Sequence, residues 1–464
     1  MEPPPADSLQ RRLGMTSAIA IVIANVIGTG VFLKARAMTD ALGSPGWVMA
    51  AWVAAGLLSL AGTLTYAQLA VVMPHTGGEF SYLNRGYGRL WGFLFGWTQI
   101  LVAKTGSQAS AAVGFGIFLN DFCGQRLKQA ACTMDLPWGR WEITWLQVSA
   151  VGLIALVTLL NAATIQSGGR IAAVLALTKI GLVLVVALGA FFLSDGDWGH
   201  FGMSAPATDT GRPPFAAGFA AAMLAALWAY DGWNSVTLVA GEVAHPQRNL
   251  PRALIGGILV VMALYLTVNA AYFFVLTPAE VASVPQESSV AREAASRFLG
   301  AGAAALMTAG LLASSLGTLH TSIMGGARIP YAMAREGLFW RWFGGVSPRT
   351  AVPVRALAFQ GVWASLLALS GSFDKLTDYV VFGSWIFYGM AGSVFFVLRR
   401  KAMQTAGAPR IRCSPVIPAV FLASTLWLLV QTLLSGTASA LAGLGIIAAG
   451  IPVYAFITRK GTSR

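Results

Sequence analysis

The chain has 464 residues, of which 56% are hydrophobic and only 11% charged, and it carries a formal net charge of +13. Apolar runs of about 18 residues or more recur from Met15 to the C-terminus, each long enough to cross a hydrocarbon core of roughly 30 Å. That pattern excludes a soluble nucleic-acid-binding protein despite the basic balance. Membrane lipid is the expected surrounding, and the basic residues report orientation.

Residues Met1 to Arg12 are polar and proline-rich and are followed by a full-length span, so no cleavable leader is expected and the tail at 1–14 should stay cytoplasmic. Twelve spans are expected, at about 15–38, 47–73, 89–120, 143–163, 170–194, 214–240, 253–276, 298–327, 353–371, 379–398, 414–434 and 438–457. With both ends inside, the larger share of Lys and Arg falls in cytoplasmic segments. Arg328, Arg335, Arg341, Arg349 and Arg355 group in one of them, and Arg399, Arg400 and Lys401 in another. Retention of basic residues on the cytoplasmic side sets topology, which puts the chain in a cell membrane, plasma or inner, as a multi-pass protein. Residues 74–89 suit a loop or short interfacial helix, and 328–343 has amphipathic spacing for the cytoplasmic interface.

Two spans carry the same interruption. The first, at 19–32, is broken by Gly28-Thr29-Gly30; the sixth, at 219–240, is broken by Tyr230-Asp231-Gly232-Trp233-Asn234. An unwound stretch at mid-membrane survives only where it is enclosed by protein or lines a cavity. Interrupted spans at matching positions of two halves point to the substrate site of a secondary transporter. The division is then a five-helix unit at 15–194, a second at 214–398 that must be inverted in the membrane, a trailing pair at 414–457, and a cytoplasmic tail at 458–464. The fold class expected is an all-α polytopic membrane protein with two inverted five-helix repeats plus two helices, and with discontinuous first and sixth helices.

The chemistry of the breaks follows from unpaired backbone. Unwinding at Gly28 to Gly30 exposes amides at the positive end of the next half-helix, which suits a carboxylate. Carbonyls near Val26 and Ile27, and around Trp228 and Ala229 in the second break, suit an ammonium. Both together describe an α-amino acid. Glycines used only for close helix packing would explain Gly28 and Gly30 but not the second break. Among ionisable residues inside spans, Lys104, Lys179 and Asp231 stand out, each either a structural partner in the bundle or a functional group. Asp231 either meets the amine end of a ligand or caps backbone amides.

Several ordered motifs bear a resemblance. Residues 23–30 followed by Val31-Phe32, then Gly43-Ser44-Pro45-Gly46, Thr65-Tyr66-Ala67-Gln68-Leu69 and Pro74-His75-Thr76-Gly77-Gly78-Glu79-Phe80-Ser81-Tyr82, resemble the L-type amino-acid transporters of the amino acid-polyamine-organocation superfamily. Trp228 through Asn234, Gly241-Glu242-Val243 through Pro246, Arg248-Asn249-Leu250-Pro251 and Arg335-Glu336-Gly337 also match. The resemblance covers about 15–400 and implies sodium-independent amino-acid transport by alternating access, often by obligatory exchange. Carried over, it gives backbone binding to Val26, Gly28, Thr29 and Gly30, and contributions from Trp228, Ala229 and Asp231, with Trp228 as an aromatic gate. Lys179 matches the family's fifth-span lysine. The chain departs from the pattern at Gln68, where an acid is usual, at Lys104, often Arg, and at Asp231, where a small residue is usual. The last leaves side-chain selectivity open.

Sodium-coupled carriers of this architecture place an ion between the first and eighth spans. The Lys179 ammonium is expected to stand there instead, against the neighbourhood of Gly28 and against Ser314 or Ser315. A fixed charge makes a sodium-independent exchanger of neutral L-amino acids; a lysine that loses its proton in the cycle makes a proton-coupled symporter; and Asp231 opens a third reading, a carrier for cationic amino acids. Cys123 and Cys132 share a predicted external loop that allows a disulfide, while Cys413 is predicted cytoplasmic. Animal relatives join a single-span heavy subunit through this loop, a partner the sequence does not establish here. His75, His200, His245 and His320 are too dispersed for a metal site, no cofactor is expected, and no hydrolase motif or channel filter is present.

Overall fold

The computed structural model describes residues 13–73, 78–136, 139–163, 168–206, 211–238, 240, 243–285, 288–347, 350, 352–370, 373–404, 414–434 and 438–461. The tail up to Arg12, His75, Glu242 and Cys413 lie outside the described residues. Helices α1 (Met15–Val26) and α2 (Gly30–Leu42) form one apolar segment bent by 45° at a three-residue break. Gly43, at φ 71°, ends α2 in a left-handed conformation that glycine adopts without strain, and Pro45 then opens α3 (Pro45–Val72) at the position where its missing N–H costs nothing.

A short helix α4 (Gly78–Tyr87) leads into α5 (Arg89–Thr98), which continues through a π-helical turn, Gln99–Ala103, into α6 (Lys104–Phe122). The expectation of a purely helical chain is amended in the loop that follows. There β1 (Ala130–Leu136) and β2 (Gly139–Thr144) pair antiparallel, with Thr133 opposite Glu142 and Met134 opposite Trp141, so the next helix, α7 (Trp145–Ala163), starts two residues later than expected. Cys123 and Cys132 are both exposed and remain free thiols.

Helix α8 (Gly168–Leu193) precedes the second interruption, formed by α9 (Phe215–Tyr230) and the single turn α10 (Ser235–Leu238). Next come α11 (Pro246–Val275), the capped turn α12 (Pro278–Ser283), and α13 (Val290–Gly326), which is broken at Gly300. The amphipathic segment is α14 (Arg328–Arg335), followed by α15 (Val354–Ser370), α16 (Phe373–Gln404), α17 (Val416–Leu434) and α18 (Ala438–Gly461).

Among the described residues six helices are long and apolar enough to cross a membrane, and the bent pair α1–α2 makes a seventh. The shorter apolar helices include α9 and α15, whose length alone does not span a bilayer. The chain is thus a mostly helical polytopic membrane protein. The two broken segments sit at its centre: α1 packs on α8 and α11, α9 on α2 and α3, and α13 on α6 and α8. Large apolar side chains such as Leu159, Leu177, Phe192 and Leu434 face outward, as a lipid-facing surface requires.

Candidate functional site

The first break spans Ile27, Gly28 and Thr29, with Gly30 already the first residue of α2. Ending a helix frees its last carbonyls. The Ile27 N–H bonds to the Ile23 carbonyl at 2.9 Å, the Lys179 ammonium donates to the Ala24 carbonyl at 2.7 Å, and the Tyr265 hydroxyl reaches the Val26 carbonyl at 3.0 Å. The same hydroxyl reaches the Ala229 carbonyl, at the end of α9, at 2.8 Å. One proton therefore serves two helix ends, and the backbone of Gly28 meets the same oxygen.

The contact between the breaks is reciprocal. A Cβ on Gly30 would lie 2.8 Å from the Cα of Ala229 and 3.0 Å from Trp228 Cδ1, whereas a Cβ on Gly232 would lie 3.0 Å from the Asn25 carbonyl oxygen. Each glycine of one break thus faces the helix end preceding the other. Gly232 also has φ +96°, which an L side chain rarely adopts. Gly28 differs: its Cβ would meet only Thr318 and Val26, both at 3.9 Å, so close packing does not demand a glycine there. Thr29 is the N-cap of α2 without a side-chain bond to the first turn, and no acid lies in that turn, so neither the cap nor the first turn neutralises the positive end of α2.

Lys179 is 1% exposed and binds Thr318 of α13 at 2.8 Å, in addition to Ala24. Its expected neighbours are close by but differently engaged. Ser314 offers its carbonyl to the Thr318 hydroxyl at 3.0 Å, its own hydroxyl being buried without a partner, and Ser315 donates to Leu311. The residue that meets the ammonium stands one helical turn beyond Ser314, on the same face, so the i, i+4 spacing could have indicated it.

Asp231 ends α9, and its carboxylate accepts from the Tyr388 hydroxyl of α16 at 2.8 Å rather than from a backbone amide of the following turn. Glu79, on α4, accepts from the side-chain amide of Asn234 in the same break. Lys104 follows the π-helical turn and contributes its charge to the surroundings of Glu79. Trp228 is buried, with its indole edge on Gly30. Val26, Ile27, Thr29, Gly30, Trp228 and Ala229 are thereby gathered in one place, with Asp231 beside them.

Sequence reading overlooked three groups. Tyr265 is one tyrosine in an apolar helix and carries no signal of its own. Lys34 lies within the first expected span, is 1% exposed and donates to Thr377 of α16 at 2.6 Å. Glu79 and Asn234 fall within the motif stretches, and nothing local to either shows that they meet.

Residues 13–457 match the family described as amino acid permease. The chain is similar to the serine/threonine exchanger SteT of Bacillus subtilis (strain 168), at 31% identity over 98% of this chain and 99% of that one. It is similar to the b(0,+)-type amino acid transporter 1 of Mus musculus, at 29% identity over 92% of this chain and 84% of the relative. A third relative is the large neutral amino acids transporter small subunit 2 of Homo sapiens, 29% identical over 96% and 80% of the two chains.

Proposed function

The chain belongs to the amino acid permease family, as a member of the L-type branch of the amino acid-polyamine-organocation superfamily, and on that footing we propose that it exchanges neutral L-amino acids across a cell membrane by alternating access, without sodium. The observation that carries this reading is the meeting of the two breaks, where the positive end of α2 and the carbonyl ends of α1 and α9 share one place. A substrate carboxylate takes the amides that open α2, beside Gly28 where there is room, and its ammonium takes carbonyls near Val26 and Ile27 and that of Ala229, competing with the Tyr265 hydroxyl for Val26 and Ala229. Trp228 closes over the substrate. Lys179 supplies a permanent positive charge between α1 and α13, with Ser314 and Ser315 alongside. The serine/threonine exchanger of Bacillus subtilis supports exchange rather than net uptake.

Twelve spans, two inverted five-helix repeats at 15–194 and 214–398, and cytoplasmic termini belong to the same proposal. The reciprocal placing of Gly30 and Gly232 supports the inverted relation, since a two-fold axis between the breaks would generate it.

Counterflow in proteoliposomes with a panel of amino acids, with and without sodium, tests the reading. Saturable accumulation that needs internal amino acid and ignores sodium is the expected result; sodium-stimulated uptake, or non-saturating leak, overturns it. A second reading rests on Asp231, whose carboxylate is held beside the break by Tyr388. If the panel shows cationic amino acids as the preferred substrates, and Asp231→Asn abolishes that preference, the carrier is one for cations.

A further inference from the structure

The second break is fastened by a residue that belongs to none of the expected spans. Glu79 is 1% exposed and accepts from the Asn234 amide. Asn234 in turn starts α10: its carbonyl accepts from the Thr237 N–H at 2.8 Å and from the Thr237 hydroxyl at 2.7 Å. Aromatic rings enclose the pair, with Tyr66 of α3 edge-on to Trp233 at 4.8 Å and to Tyr82 of α4 at 5.8 Å. Lys104 from α6 and Asp231 from the break are the charged groups facing Glu79, and Tyr66, Tyr82 and Tyr388 are the titratable hydroxyls.

An ionised carboxylate accepts a charge-assisted hydrogen bond about twice as strong as a neutral one. A structural anchor for an amide would need no charge: glutamine at the same place offers an acceptor of similar reach. A carboxyl in this setting does more, because its grip on Asn234 depends on its proton. Burial lifts the Glu79 carboxyl to about 7, against the lowering contributions of the Asn234 bond and the Lys104 ammonium. The ionised form, and with it the strong grip, is present above that pH and lost below it.

Building on the alternating-access reading, we propose that Glu79 is a positioning residue of the transport cycle: ionised, it fastens Asn234 and α10 to α4, and on protonation it releases them so that the half of the sixth span beyond the break can move. The proton comes from water on the α4 side and returns there, and no net proton movement with substrate is required.

Full-length protein carrying Ser235→Cys, with Cys123, Cys132 and Cys413 changed to serine, provides a readout that needs no substrate. Thiol labelling of that position in liposomes, at equal pH on both sides and divided by the labelling rate of free cysteine at the same pH because the thiolate is the nucleophile, should rise roughly tenfold from pH 8 to pH 6, the change in protonated fraction of one group centred near 7. Glu79→Gln in the same background should label at a rate that, divided in the same way, is independent of pH. Counterflow measured in parallel should follow the same two profiles. Labelling of the Glu79 protein that ignores pH overturns the proposal, and so does a Glu79→Gln protein that keeps the pH dependence. If no amino acid is carried while the labelling profiles differ as expected, the carrier reading fails and the fastening stands. Should Glu79→Gln fail to fold, Asn234→Asp decides. Two facing carboxyls share a proton and should move the labelling profile up by about one pH unit or more, and an unmoved profile overturns the proposal.

Discussion

A methyl group on Gly30 would stand 2.8 Å from the Cα of Ala229. The neighbouring atom is backbone, so no rotamer change relieves the overlap. Gly30→Ala should therefore push the two breaks apart and lower stability by about 1–3 kcal/mol, the usual range for overpacking. Thermal unfolding in detergent checks this. Sequence reasoning assigns Gly30 to approach of a ligand, which would leave stability intact and remove binding alone. Gly28→Ala makes the contrast: with 3.9 Å to its nearest neighbours, the new methyl fits, and binding rather than stability should fall.

Tyr265 joins the ends of α1 and α9 through one hydroxyl. Tyr265→Phe keeps the ring and its edge-on contact with Trp52 at 5.4 Å but leaves two buried carbonyls unserved. An unsatisfied buried acceptor costs about 1–3 kcal/mol. Because a substrate ammonium can take over those carbonyls, the loss of stability should be smaller with amino acid present. Unfolding curves with and without substrate measure the difference, and an equal loss in both would show that the ligand does not reach these oxygens.

The helices were largely legible from apolar run length, because burial in lipid demands it, and both breaks were legible because Gly28 to Gly30 and Tyr230 to Asn234 interrupt two apolar runs at matching places. What the sequence could not show was pairing across distance. The meeting of Lys179 with Ala24 depends on the frayed end of α1, and Tyr265 depends on two helix ends arriving together. Lys34 has no local signal of its partner either: it lies just past the apolar stretch at 19–32, and α2, which continues to Leu42, carries it inside. The paired strands at 130–136 and 139–144 have too little alternation to separate them from an irregular loop.

Trp228 is a large aromatic side chain at the junction, and its indole edge rests on Gly30. A ring that closes over substrate affects the rate of exchange more than the equilibrium with bound ligand. Trp228→Ala should lower the exchange rate by tenfold or more, roughly what a barrier change of about 1.4 kcal/mol gives. Binding of the same amino acid should change much less. Rate and affinity falling in proportion would make Trp228 a binding contact and no gate.

Lys179 decides the mechanism. Its ammonium holds the Ala24 carbonyl and the Thr318 hydroxyl, at 2.7 and 2.8 Å, and so ties α1 to α13. Lys179→Ala removes the donor from both and should abolish exchange, with a stability loss of about 1–3 kcal/mol for the orphaned carbonyl. Lys179→Met keeps most of the volume and none of the charge, so it separates packing from electrostatics. If the charge is fixed, the methionine variant is folded and inactive, and exchange by the unmodified protein, at constant pH on the α4 side, is not driven by an imposed pH gradient and does not acidify the lumen as substrate moves. A lysine that sheds its proton in each cycle would instead couple uptake to the gradient. Restoration of exchange to Lys179→Ala by added sodium would point the other way, to an ion site between α1 and α13 that the ammonium ordinarily fills.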